Sequence, residues 1–173
     1  MNSANHWWQE PAAATDAQAA SAAEARQAIL TKPPGALGRL ESVAIRLAGL
    51  QGREKPEIRQ VEIVVYAADH GVVAEGISAF PQVVTYEMVK NFANGGAAIN
   101  VLAREIDAPL TVVNLGTVVA PEELPGVRNR VIAAGTANFA QAEAMTLAQF
   151  DTALQVGREM VEGAYSGPLR LDG

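Results

Sequence analysis

The apolar positions of this chain follow two rhythms, one helical and one extended. Asp16 to Leu30 is alanine-rich without a breaker, and Ser21-Ala22-Ala23-Glu24 has capping-box spacing. A helix is expected to start there or one turn earlier. Lys32-Pro33-Pro34-Gly35 ends it, because proline lacks an amide donor and restricts the residue before it. Leu37, Leu40, Ala44, Leu47 and Ala48 then recur at three- and four-residue steps, predicting a second helix with one apolar face and Gly52 as its stop. Further on, Pro81 opens a helix running towards Asn94-Gly95. Gly96 to Glu105 reads as another, with Ile99, Leu102 and Ala103 on one side. Thr146-Leu147-Ala148-Gln149 is a capping box for a helix through about Val161.

Between these lie extended runs. Val61 to Ala67 is apolar at nearly every position and rich in β-branched residues, the pattern of a strand covered on both faces, and it ends in Asp69-His70-Gly71. Leu110 to Leu115 predicts a second buried strand ending at Gly116, and Val127 to Ala134 a third. Strands separated by helical segments imply an α/β fold with a largely parallel sheet. Ligands of such sheets bind beyond the carboxyl ends of the strands. Three segments occupy that position: Asp69-His70-Gly71, Asn114-Leu115-Gly116 and Gly135-Thr136-Ala137-Asn138. No internal repeat or low-complexity linker interrupts the chain.

Composition narrows the function. The 173 residues suit one domain, or one and part of another, and 49% hydrophobic against 18% charged is a globular balance. The 13 basic and 19 acidic residues leave a net charge of −6, which disfavours nucleic acid as a partner. With no cysteine and only His6 and His70, thiolate zinc, iron–sulfur, disulfide and multi-histidine sites are excluded. The first ten residues have neither a basic residue nor an apolar run, so no signal peptide is expected there. The longest apolar stretch, Ile63 to Ala68, is far short of the roughly 20 residues of a membrane helix. A soluble, cytoplasmic protein with no membrane partner is expected. Trp7 and Trp8, in a polar leader, fit either a loosely ordered terminus or a docking element.

Several residues could carry chemistry. Asp69 beside His70 could serve acid–base work, yet neighbours on an extended strand face opposite ways, so capping and backbone hydrogen bonding are the competing roles. Asn94-Gly95-Gly96-Ala97-Ala98 could offer amides to an anion, but it lacks the dinucleotide and phosphate-loop patterns and reads first as a tight turn between helices. Gly135 to Asn138 could present amides to a ligand or form a structural turn. Phe80 stands in a loop among small residues, with Thr85 and Met88 one and two turns on. An aromatic ring and a thioether beyond a strand suit a flat apolar ligand, or else pack beneath the loop.

Four ordered segments resemble one family. They are Lys32-Pro33-Pro34-Gly35-Ala36-Leu37-Gly38-Arg39-Leu40-Glu41, then Ala67-Ala68-Asp69-His70-Gly71-Val72, then Glu75-Gly76-Ile77-Ser78-Ala79-Phe80-Pro81-Gln82, and finally Gly95-Gly96-Ala97-Ala98-Ile99-Asn100-Val101-Leu102-Ala103. They are similar to nicotinate-nucleotide–dimethylbenzimidazole phosphoribosyltransferase, and the likeness extends from about Asp16 to Gly163. The resemblance implies transfer of phosphoribose from nicotinate mononucleotide to 5,6-dimethylbenzimidazole, giving α-ribazole 5'-phosphate and nicotinate in cobalamin nucleotide-loop assembly. It implies a Rossmann-like sheet flanked by helices, a smaller helical domain to which the amino-terminal helices belong, a homodimer, and no metal or organic cofactor.

Residue by residue, the resemblance implies that Phe80 and Met88 line the benzimidazole pocket with Ser78, Pro81 and Thr85. Asp69, His70 and Gly71 would stand at the strand end, and Gly135 and Asn138 nearer the nucleotide. It also implies about twice this length, with a glycine-rich phosphate segment and a catalytic glutamate further on. Neither segment occurs here, so no catalytic residue is assigned within the chain, and Ser166 to Gly173 reads as an atypical tail of a truncated member. The expected division is a leader (1–15), amino-terminal helices (16–56), a partial Rossmann-like domain incomplete at its carboxyl end (57–165) and the tail (166–173). The alternative function is a non-catalytic module for aromatic-base binding or dimerisation.

Overall fold

The computed structural model describes residues 7–59 and 61–165; the expectations for the start of the leader and for the 166–173 tail fall outside the described residues. Contacts divide the chain into two units, Met1–Arg59 and Gln60–Gly173.

The first unit holds a 3₁₀ turn at Trp7–Gln9 and two helices, α1 (Ala17–Ile29) and α2 (Arg39–Gln51). The capping box at Ser21 is not the start of α1. Asp16 caps it a turn earlier, its Oδ1 accepting from the Ala19 amide at 2.8 Å. The two helices pack closely because the contact is made by small residues, with Ala19, Ala23, Ala48 and Gly49 buried. A Cβ on Gly49 would sit 3.3 Å from that of Ala20. Of the expected stripe, Leu37 and Leu40 are exposed while Ala48 is buried, with Gly49 buried beside it. Gly52 ends α2 with φ 64°, in the left-handed region where glycine is unstrained. The Lys32–Glu41 motif between the helices closes on itself. Glu41 Oε1 accepts from Lys32 Nζ at 2.8 Å and from the Leu37 amide at 3.2 Å. This engagement, the lysine hydrogen bond first, holds the Glu41 carboxyl below its ordinary pKa.

The second unit is α/β. Strands β1 (Ile63–Ala68), β2 (Leu110–Gly116) and β3 (Val127–Asn129) form one all-parallel sheet in the order β1-β2-β3. A short 3₁₀ helix (Gly71–Glu75), α3 (Val83–Ala93) and α4 (Ala98–Glu105) connect β1 to β2, and α5 (Leu147–Tyr165) follows β3. Side-chain alternation sends consecutive residues of β2 to different faces. Val112 joins Tyr86 and Val89 of α3, while Val113 joins Val156 and Met160 of α5.

Some predictions change in detail. The third strand is shorter than Val127–Ala134, although Arg130 and Ile132 still donate to the carbonyls of Asn114 and Leu115. The β2–β3 connection carries no helix. On α4, Leu102 is exposed, and Asn100 and Ala103 are buried. Most importantly, β1 is an edge strand of the described sheet, so its residues are only half covered and Tyr66 is 45% exposed. A continuous apolar run reports the capacity to be covered on both faces, and the described residues realise that covering only in part. The capping box at Thr146 holds: Thr146 N donates to Gln149 Oε1 at 2.8 Å and the Gln149 amide to Thr146 Oγ1 at 3.3 Å.

Candidate functional site

Beyond the carboxyl ends of β1 and β2 the chain crosses over itself. After β3, residues 133–136 pass over the end of β2 and pair with the continuation of β1. Thr136 N donates to Asp69 O at 3.0 Å and Gly71 N to Thr136 O at 3.0 Å, and His70 and Thr136 form a parallel bridge. Glycines make the crossing possible. A Cβ on Gly71 would lie 2.6 Å from the Thr136 oxygen, and one on Gly116 would lie 1.7 Å from the Ala133 oxygen. Gly135, at φ 88°, rests on the Asp69 backbone. Buried Asn114 shapes the end of β2, its Oδ1 accepting from the Gly116 amide at 3.0 Å.

Asp69 is at the centre of this arrangement and 2% exposed. Its Oδ1 accepts from Thr85 Oγ1 at 2.6 Å, and its Oδ2 from the Val118 amide at 2.8 Å. The carboxylate therefore ties α3 to the loop after β2. His70, its neighbour, is exposed and turned elsewhere, with Nδ1 3.4 Å from Thr136 Oγ1. The two do not form a dyad.

Two cavities flank this strand tip, sharing Ala68, Asp69 and His70 as a wall. One, of about 590 Å³, is bounded by Gly135, Thr136, Met145, Thr146 and Gln149. The other, of about 750 Å³, is bounded by Ser78, Phe80, Pro81, Thr85, Met88 and Phe139, with Tyr66 at one side. Both fall in the size range of small-molecule sites. The second is largely apolar, and two of its side chains are accessible: Phe80 is 68% exposed and Met88 38%. Phe80 is held outward by Ser78, whose hydroxyl donates to the Phe80 carbonyl at 2.9 Å and accepts from its amide at 3.2 Å. Ser78 thus serves its own turn, as serine does in loops. Pro81 lies just before α3, its carbonyl receiving the Val84 amide at 3.0 Å.

Seven of the ten residues predicted for substrate binding therefore share this second cavity: Asp69, His70, Ser78, Phe80, Pro81, Thr85 and Met88. Gly135 lines the first. Gly71 and Asn138 line neither; Gly71 packs against 136–138, and Asn138 Nδ2 donates to Glu75 Oε1 at 2.6 Å. Sequence reasoning missed Phe139 and Tyr66. Phe139 bore the same signal as Phe80, an aromatic in a polar loop after a strand, but it sits one residue past the segment weighed for its amides. The Gly95-Gly96 segment is the tight turn between α3 and α4, with Gly95 at φ 75° and Asn100 Oδ1 accepting from the Ala97 amide. Among the described residues no cluster of three or more His, Cys, Asp or Glu side chains could hold a metal ion, and no helix is long and apolar enough to cross a membrane.

Comparison with known proteins supplies a family. A family model described as phosphoribosyltransferase matches residues 12–171. The chain is 56% identical over 167 residues to nicotinate-nucleotide–dimethylbenzimidazole phosphoribosyltransferase of Pseudomonas fluorescens Pf-5, covering 96% of this chain and 48% of that one. It is 59% identical over 157 residues to the enzyme of the same name from Pseudomonas syringae pv. syringae, covering 91% and 45%. Among solved structures, that of the Thermus thermophilus enzyme of this name superposes with a TM-score of 0.82 at 51% identity, covering 86% of this chain and 45% of the other. The chain spans about half the length of the curated relatives it matches.

Proposed function

The chain belongs to the nicotinate-nucleotide–dimethylbenzimidazole phosphoribosyltransferase family, and from that premise we propose that it supplies the aromatic-base site of a phosphoribosyl transfer from nicotinate mononucleotide to 5,6-dimethylbenzimidazole. The products would be α-ribazole 5'-phosphate and nicotinate. The observation that carries this reading is the apolar cavity at the carboxyl end of β1, with Phe80 and Met88 accessible in its wall. An aromatic ring and a polarisable thioether suit a flat, methylated bicyclic base better than a polar one.

The chemistry asks little of this half of a site. Nicotinate leaves from a quaternary pyridinium nitrogen, so its departure neutralises the ring and needs no general acid. The acceptor base loses one ring proton as its other nitrogen attacks the sugar carbon. A positioned carboxylate taking that proton contributes roughly 10²–10⁴-fold, and alignment of the two substrates supplies much of the rest. Among the described residues of this cavity Asp69 is the one carboxylate. Both its oxygens are already engaged, and its role in this reading is to hold the cavity wall.

The proton acceptor and the phosphate site are accordingly assigned to the part of the relatives that this chain does not span. The smaller cavity beside Gly135 would face the nucleotide. A dimeric, cytoplasmic setting and the division into helices at 16–56 and a Rossmann-like unit at 57–165 belong to the same reading.

Calorimetric titration of 5,6-dimethylbenzimidazole into the 173-residue chain tests it. Saturable binding weakened about tenfold by Phe80→Ala or Met88→Ala is expected. No α-ribazole 5'-phosphate should accumulate when nicotinate mononucleotide is added. Absence of saturable binding, or turnover at an enzymatic rate, would defeat the reading.

A further inference from the structure

We propose that Phe139 is a second aromatic wall of the base cavity, acting with Phe80 as a clamp, and that Glu75 positions it. The inference rests on the base-site reading above and extends it to residues that reading did not use.

Phe139 is 62% exposed, yet it borders the same cavity as Phe80. The two rings come from loops far apart in sequence, one before α3 and one after β3. An exposed phenyl ring on a polar turn contributes little to the fold, and two of them bordering one cavity of small-molecule size need a common reason. A planar heteroaromatic guest provides it, because each ring can then stack on or meet edge-on the face of the guest.

The turn carrying Phe139 is built to hold it there. Asn138 Oδ1 accepts from the Ala140 amide at 3.0 Å, and the Asn138 carbonyl accepts from the amides of Gln141 and Ala142 at 3.0 Å each. This compact turn is then pinned to the 3₁₀ helix after β1. Glu75 Oε1 accepts from Asn138 Nδ2 at 2.6 Å and from Gln141 Nε2 at 3.2 Å. Glu75 immediately precedes Gly76, Ile77 and Ser78, the turn that leads to Phe80. One carboxylate oxygen thereby joins the two loops that carry the two rings. Glu75 reaches the guest only through Phe139, which makes it a positioning residue.

Titration of 5,6-dimethylbenzimidazole into the wild-type chain and the Phe80→Ala, Phe139→Ala, Glu75→Ala and Glu75→Gln variants tests this. Phe139→Ala should raise Kd about tenfold while its melting temperature stays within about 2 °C of wild type. Glu75→Ala should weaken binding several-fold, and Glu75→Gln, which keeps an acceptor oxygen in place, should restore it. Wild-type Kd for Phe139→Ala beside a weakened Phe80→Ala overturns the clamp and leaves the base site standing. Unchanged binding by Glu75→Ala, or no rescue by Glu75→Gln, overturns the positioning role. No saturable binding by the wild-type chain removes the base site and the clamp together.

Discussion

The Ala133 carbonyl oxygen occupies the space where a side chain on Gly116 would begin, 1.7 Å from the position of its Cβ. Gly116 also adopts φ 144°, which L-residues rarely enter. The crossing of residues 133–136 over the end of β2 depends on this missing methyl group together with the glycines at 71 and 135. Gly116→Ala should therefore cost more than about 2 kcal/mol, by clash and backbone strain together. Gly157→Ala is the control, since nothing lies within 4 Å of its Cβ in α5. That change should stabilise by up to about 1 kcal/mol through helix propensity. Thermal unfolding of the two variants against wild type checks both signs.

Asp69 should matter to stability as well as to the cavity wall. Its removal leaves the Val118 amide and the Thr85 hydroxyl without their acceptor in a buried setting. Asp69→Ala is expected to lose about 2–4 kcal/mol, whereas Asp69→Asn, which keeps one acceptor oxygen, should lose about half as much. Urea unfolding midpoints at constant m-value measure the difference.

The helix starts separate two similar sequence signals. Asp16→Ala should cost about 1 kcal/mol because it removes the cap on Ala19 N, and Thr146→Ala should cost a similar amount. Ser21→Ala should be neutral within about 0.5 kcal/mol, since Ser21 sits inside α1. A large loss at Ser21 would contradict the observed register.

The Lys32–Glu41 contact predicts a pH effect with a definite sign. The carboxyl of Glu41 is held below its ordinary value of 4.5 by the lysine and the Leu37 amide. A carboxylate whose pKa falls on folding stabilises the fold fully above its unfolded pKa, and that contribution disappears as pH falls through the lower, folded value. The difference in melting temperature between wild type and Glu41→Gln should be constant from about pH 7 to about 5, then close as the medium is acidified further. High salt should shrink it only modestly, because the two side chains are 13% and 17% exposed and a partly buried pair is screened less than a surface one.

The elements and their order follow from local sequence alone. The Thr146 box, Gly52, the five helices and the first two β-branched runs each express local backbone physics and reappear in the structure, whereas the full apolar stripes expected on α2 and α4 and the length of the third strand do not. An aromatic in a polar loop and a thioether two turns later make Phe80 and Met88 visible without a fold, but that pattern fits packing beneath the loop as well as a ligand, and only the family resemblance implies a pocket. What these residues touch is settled at the level of tertiary packing. The choice of Asp16 over Ser21 as a cap turned on backbone geometry that either spacing allowed. The engagement of Asp69 by Thr85 and Val118 depends on contacts 16 and 49 residues apart in the chain. Phe139 joins Phe80 at one cavity because the segment after β3 crosses back to the tip of β1. No periodicity encodes that meeting, because it arises from strand order and from the glycines at 71, 116 and 135 that let backbone pass against backbone.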